Sequence, residues 1–320
     1  MSIDTPVTET LGRHRKYEAL IAACAAHPPL PTAVVHPCDE ASLDALLDAA
    51  RAGLIAPTLV GPAARIQALA AQRGVDLSAF ALIDQPHSHA AAAKAVELVR
   101  QGQVAALMKG SLHTDELMAE VVRKEGGLRT ERRVSHVFIM DVPTYPKPLF
   151  ITDAAINILP SLDDKADIAR NAIGLAHALG IACPKVAILS AVETVNAKLP
   201  STLDAAALCK MADRGQIEGV VLDGPLALDN AISRDAAAIK HIVSPVAGEA
   251  DILLVPNLEA GNMLAKELTF LAQADAAGIV LGARVPVILT SRADDVRARL
   301  ASCAVALLYA AHTRFRDKAA

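Results

Sequence analysis

Pro286-Val287-Ile288-Leu289-Thr290-Ser291-Arg292-Ala293-Asp294-Asp295 turns from apolar to polar within a single step. The apolar half reads as a buried strand. The polar half brings a hydroxyl, a guanidinium and a carboxylate to the point where a parallel strand ends and a helix begins. Ligands of α/β proteins bind outside that end of the sheet. A helix N-terminus there adds free N–H groups and a field that favours an anion. The plainer reading is that Ser291 caps a helix over residues 294–312, with Asp294 and Asp295 complementing its dipole.

Working outward from this stretch, the same unit repeats. Short apolar runs at Ala33–His36, Thr58–Gly61, Phe80–Asp84, Val104–Met108, Val134–Met140, Lys185–Leu189, Gly219–Leu222, Ile252–Val255 and Val285–Leu289 read as strands. Helical patterns at Leu43–Arg51, Ala90–Arg100, Asp163–Leu179, Thr202–Arg214 and Asn262–Ala277 lie between them. Such alternation predicts right-handed βαβ units and parallel sheets. So many elements exceed one ordinary doubly wound domain. The expected fold is therefore two doubly wound α/β domains with an interdomain cleft. Val142-Pro143-Thr144-Tyr145-Pro146-Lys147-Pro148 marks the first break and Ala277-Gly278 the return. This assigns residues 1–141 plus 278–320 to one domain and 142–277 to the other. The segment before Pro31 is expected to dock as an appended helix.

With 53% hydrophobic residues, 2% aromatics and no Trp, Ala, Val, Leu and Ile must fill the cores. A net charge of −4 argues against nucleic-acid partners, which demand phosphate neutralisation. The start of the chain lacks the pattern of a signal peptide. The apolar run at Leu300–Ala311 is shorter than the ~20 residues of a membrane span. The five cysteines are scattered without a C-x-x-C pair, which suits reduced thiols. The expectation is a cytoplasmic protein with no membrane partner.

Several loops follow strands directly. Lys109-Gly110-Ser111-Leu112-His113-Thr114 offers a cation for phosphate, a glycine for close backbone approach, and Ser111 or Thr114 as a helix cap. Asn257-Leu258-Glu259-Ala260-Gly261-Asn262 offers two amides and a tight backbone, with Asn262 as the expected cap. Ser190–Asn196, Asp223-Gly224-Pro225 and Asp229-Asn230 are polar in the same way. Gly126–Arg133 is a basic loop whose Arg129 could meet the phosphates of a nucleotide-like ligand, or lie on a solvated surface. His87-Ser88-His89 resembles a metal pair but lacks a third ligand and reads better as a cap. Dinucleotide, P-loop, serine-hydrolase and zincin motifs are all missing.

Met108-Lys109-Gly110, Val192-Glu193-Thr194-Val195-Asn196, Pro200–Ala206, Asp223-Gly224-Pro225, Pro256–Asn262 and Leu289–Asp294, in this order and spacing, resemble the phosphate acetyltransferase/phosphate butyryltransferase family. The likeness runs from about residue 14 to the C-terminus. It is nearest to the butyryl branch and to the transferase half of enoyl-CoA hydratase–phosphate acetyltransferase fusions. The resemblance implies a fold like isocitrate and isopropylmalate dehydrogenases with the active site in the cleft. It implies reversible acyl transfer between coenzyme A, a substrate and not a bound cofactor, and inorganic phosphate. It places the family's Ser–Arg pair on Ser291 and Arg292, with the acid at Asp294 or Asp295. Lys109, Gly110, Ser111, Asn257, Gly261, Asn262 and Thr290 become substrate-binding candidates. A basic residue that serves coenzyme A in the acetyl branch falls on Phe270, near Lys266, so Lys266 and Arg129 are the candidates for the cofactor phosphates. The resemblance also implies an oligomer, most simply a homodimer.

The chemistry fits these residue types. A thiol with a pKa of about 8.5 must lose its proton to attack an acyl phosphate. A carboxylate can accept that proton, Arg292 can hold the departing phosphate in a fork, and Ser291 can donate to the oxyanion. No protein nucleophile stands out, which favours direct attack in a ternary complex, and no metal is required. Two alternatives stay open. One is a β-decarboxylating NAD-dependent dehydrogenase of the same architecture. The other is a non-catalytic protein that binds coenzyme A or acyl phosphate.

Overall fold

A computed structural model describes residues 15–289 and 295–319. Their eleven strands form one continuous sheet in the order β3-β2-β1-β4-β11-β10-β5-β6-β9-β7-β8. The first wing comprises β1 (Leu30–Val35), β2 (Ile55–Gly61), β3 (Ala81–Asp84), β4 (Ala106–Lys109) and β11 (Val287–Ile288). The second comprises β6 (Leu149–Thr152), β7 (Lys185–Leu189), β8 (Val221–Leu226) and β9 (Ile252–Leu254). Each wing is parallel within itself, as the alternating pattern predicts.

The centre departs from that expectation. β5 (Ser135–Asp141) and β10 (Asp275–Leu281) pair antiparallel with each other, and each pairs antiparallel with its outer neighbour. β6 and β10 are additional to the strands read from sequence. The proline-rich 142–148 stretch is the connection of the β5–β6 hairpin, and its prolines mask the four-residue strand that follows. The helix expected over 262–277 instead spans Leu258–Phe270 (α10), and residues 275–281 are strand. Ala-Ala-Gly at its centre carries no strand signal of its own, and pairing on both sides overrides propensity.

The helices cover the sheet unequally. On one face α1 (Arg15–Ala23), α2 (Glu40–Arg51), α6 (Leu162–Ala178), α7 (Pro200–Asp213) and α11 (Val296–Ala319) share a single hydrophobic core. It runs from Leu59 through Met108, Ile279 and Ile139 to Ile188. On the other face there are two cores. One lies beneath α4 (Ser88–Arg100) and α5 (Thr114–Val121), with Val35, Leu107, Val280 and Val287. The other lies beneath α8 (Leu228–Ile232) and α10, with Met140, Ile151, Leu189 and Val255. The two do not merge. Between them, on that face, the central strands present His136 and Phe138 from β5 and Gly278 from β10.

The first described helix docks as expected. The Tyr17 hydroxyl donates to the Ile139 carbonyl at 2.5 Å, and Lys16 pairs with the buried Asp141 at 2.8 Å. The apolar run near the C-terminus is an internal helix whose Ala301, Cys303, Ala304 and Val305 are buried. No described helix is long and apolar enough to cross a membrane.

Candidate active site

The strand tips of the first wing converge because its helices switch faces there. β1 leads to α2 on the continuous-core face, whereas β4 leads to α5 on the other. Adjacent strands whose connections diverge leave a crevice between their tips. Gly110 lies in it under close constraint. A side-chain carbon at this position would stand 2.4 Å from the Val35 carbonyl oxygen and 2.6 Å from that of His36. The Gly110 and Ser111 amides donate to those same two carbonyls, each at 2.9 Å. Only glycine permits this crossing.

Ser111 fixes the other side of the crevice. Its hydroxyl donates to the His36 carbonyl at 2.8 Å and accepts from the Cys38 amide at 3.2 Å. His36 Nδ1 lies 3.0 Å away. With the hydroxyl proton committed to the carbonyl, Nδ1 is the donor and Nε2 keeps its lone pair. His36 is buried at a positive φ of 56°. Burial, followed by the positive charge of Arg65, lowers its pKa, so the imidazole is neutral. Burial likewise raises the Cys38 thiol. The Lys109 ammonium closes this rim, donating to the Gly110 carbonyl at 3.2 Å. The cap of α5 is His113 and neither Ser111 nor Thr114, because the Ser111 hydroxyl is engaged across the crevice. Glu116 accepts from the His113 amide at 3.3 Å.

The second wing brings the Asn257 loop against the end of β6. Asn257 caps α10, its carboxamide oxygen accepting from the Ala260 amide at 2.9 Å. Asn262 is therefore not the cap. It lies inside the helix and donates to the Ala154 carbonyl at 3.1 Å. Gly261 lets α10 approach closely, since a side-chain carbon there would meet Val255 at 2.7 Å and the Asp153 carbonyl at 3.0 Å. The sequence gives no sign of Asp153 as an anchor. Its buried carboxylate accepts from the amides of Ala155, Ile156 and Asn157 at 2.9–3.1 Å and from the Asn157 side chain at 2.5 Å. Burial raises its pKa against those bonds. The 153–157 loop reaches back to the first wing. Ile156 packs on the α4–α5 core, which Leu112 belongs to and Leu289 also joins.

Thr290, Ser291, Arg292 and Asp294 lie outside the described residues. Asp295 is described, and its carboxylate caps α11 by accepting from the Ala298 amide at 2.7 Å. Arg129 is exposed and bridges to Ala283. Arg133 of the same basic loop is exposed as well, with its Nε donating to Asn157 at 2.7 Å. Lys266 is exposed on α10. His87 caps α4 as expected, accepting from the Ala90 amide at 3.2 Å. Among the described residues no three metal-ligating side chains gather.

A large mixed sheet wound on both faces, with glycine-bordered strand tips and a cation at one crevice, defines a doubly wound α/β enzyme architecture. The chain belongs to the phosphate acetyl/butyryl transferase family: the family model described as "Phosphate acetyl/butaryl transferase" matches residues 85–307. It is an acyltransferase by that membership. It is 65% identical over 305 residues to the phosphate acetyltransferase of Rhizobium meliloti, covering 95% of this chain and 96% of that one. It is 46% identical over 272 residues to the phosphate butyryltransferase of Clostridium acetobutylicum, covering 85% and 90%. Among solved structures, a branched-chain phosphotransacylase from Enterococcus faecalis V583 superposes with a TM-score of 0.76 at 30% identity, covering 88% of this chain and 99% of that one. A 4-hydroxythreonine-4-phosphate dehydrogenase from Burkholderia phymatum matches with a TM-score of 0.53 at 13% identity, over 88% and 98%. That last likeness is one of fold alone, and the dehydrogenase alternative finds no further support.

Proposed function

We propose that the chain transfers a short acyl group, acetyl or butyryl, reversibly between coenzyme A and inorganic phosphate, by direct attack of the thiolate in a ternary complex. The observation that carries this reading is the 65% identity to a phosphate acetyltransferase along nearly the whole chain. The reaction lies in a cleft between a domain of residues 1–141 plus 278–320 and one of 142–277. Arg292 holds the phosphate oxygens and neutralises charge as the acyl–phosphate bond breaks. Ser291 and Thr290 donate to the developing oxyanion. Asp294 accepts the thiol proton, since the Asp295 carboxylate is occupied in capping α11.

Lys109 supplies a second positive charge, which Gly110 and Ser111 place by locking β4 against β1. Asn257, Gly261 and Asn262 shape the facing wall. Arg129 and Lys266 are solvent-facing cations for the phosphates of coenzyme A. No permanently bound cofactor enters the scheme. The protein works in the cytoplasm as a homodimer. The exposed apolar side chains of Ile158, Leu159, Met263, Phe270 and Leu271 support self-association.

Release of free thiol from acetyl-, propionyl- and butyryl-coenzyme A, with and without phosphate, tests the reading. Phosphate-dependent release is expected. A folded protein that releases no thiol, or releases it equally without phosphate, refutes acyl transfer to phosphate.

A further inference from the structure

The loop after β6 starts in the second wing and ends on the first, and one buried carboxylate holds it rigid. Asp153, at its start, is 2% exposed. Its Oδ1 accepts from the Ala155 and Ile156 amides, and its Oδ2 from the amide and the side chain of Asn157. Asn157 is 3% exposed and extends the set of bonds, donating to the Val134 carbonyl at 2.9 Å. Asp153 forms no ion pair among the described residues; amides alone surround its charge. Burying a charge without a counter-ion costs stability, so stability alone does not account for a carboxylate here.

The two ends of this loop meet the two walls of the candidate site. At the near end the Ala154 carbonyl accepts from Asn262 at 3.1 Å, and bare Gly261 lets α10 lie against the Asp153 carbonyl. At the far end Ile156 packs on the α4–α5 core. Leu112 belongs to that core and follows Ser111 directly in the chain. We propose that Asp153 is a positioning residue for acyl transfer: its carboxylate makes the 153–157 loop a strut that sets the Asn257–Asn262 wall against the Lys109–Ser111 rim. The inference deepens the acyl-transfer reading and rests on it. Asp153 touches no substrate in this scheme and acts through Asn262 and Ile156. Lys109 keeps its own mount on the first wing, so loosening the strut spares phosphate binding and spoils alignment. A misplacement of about 1 Å remote from the chemistry costs about 100-fold in rate.

The test measures kcat and the KM for phosphate with acetyl-coenzyme A in the wild type, Asp153→Asn, Ile156→Ala and the double variant, with thermal melting to fix the folded fraction. Asp153→Asn turns an N–H donor toward the donors of one partner pair, and Ile156→Ala frees the far end of the strut. Each is expected to lower kcat per folded molecule by about 100-fold with an unchanged KM for phosphate, and the double variant to fall no further than the weaker single. If Asp153→Asn does not fold, Ile156→Ala decides by the same readout. An active wild type whose folded variants keep its kcat, losing only melting temperature, overturns the positioning role alone. A wild type without phosphate-dependent thiol release overturns the acyl-transfer reading, and the positioning role with it.

Discussion

The Ser111 hydroxyl grips His36 at two points, its carbonyl and its ring. One proton goes to the His36 carbonyl, and the two lone pairs accept from His36 Nδ1 and the Cys38 amide. The loops after β1 and β4 are thereby held as one piece beneath Lys109. Ser111→Ala leaves the imidazole N–H of the buried His36 without its partner, while the His36 carbonyl keeps the Ser111 and Cys38 amides, a loss of about 1–3 kcal/mol. The expected result is a lower melting temperature together with a raised KM for phosphate, since Lys109 loses its mount. Equilibrium denaturation and steady-state kinetics measure the two effects separately.

His136 gives the protein an acid-sensitive centre. Burial lowers its pKa from 6.5 to about 3, so the folded state keeps the ring neutral while the unfolded chain protonates. For a group whose folded pKa is depressed in this way, the unfolded state binds the extra proton. Its contribution is therefore complete above 6.5 and is lost as pH falls from 6.5 toward about 3. The slope is about 1.4 kcal/mol per pH unit. His136→Gln should show a flatter dependence of denaturation midpoint on pH across this window. An unchanged slope would relocate the acid sensitivity to the carboxylates.

Lys165 is 5% exposed and joins α6 to α7 through Asp204 at 2.6 Å. Removing Asp204 strands the buried ammonium, whereas removing Lys165 leaves a carboxylate that is 26% exposed. Asp204→Leu is expected to cost about 3–5 kcal/mol, and Lys165→Met with Asp204→Leu to recover most of that loss. A double-mutant cycle by chemical denaturation reads the coupling. Independent, additive losses would show that the pair contributes nothing beyond its parts.

The residues themselves explain which features were legible before folding. β1, β2, β4 and β9 announce themselves because a parallel strand covered on both faces is a continuous apolar run. β6 is hidden behind Pro146 and Pro148, and β10 carries Ala-Ala-Gly where a strand former is expected. Both owe their state to neighbours distant in sequence. The Asn257 loop was visible, but two asparagines five residues apart compete for the cap. The choice of Asn257 follows from packing, since Asn262 is drawn to the Ala154 carbonyl. Strand-tip candidates such as Lys109 and Gly110 were readable from composition. His136, Phe138 and Asp153 were not, because nothing local says that β5 crosses beneath a break between two cores.

Arg292 carries the central claim, and one comparison tests it most directly. Phosphate-dependent thiol release from acetyl-coenzyme A should fall at least 100-fold in Arg292→Ala, in line with the loss of one strong transition-state donor, while the melting temperature stays at the wild-type value. Near wild-type turnover in that variant would contradict the account.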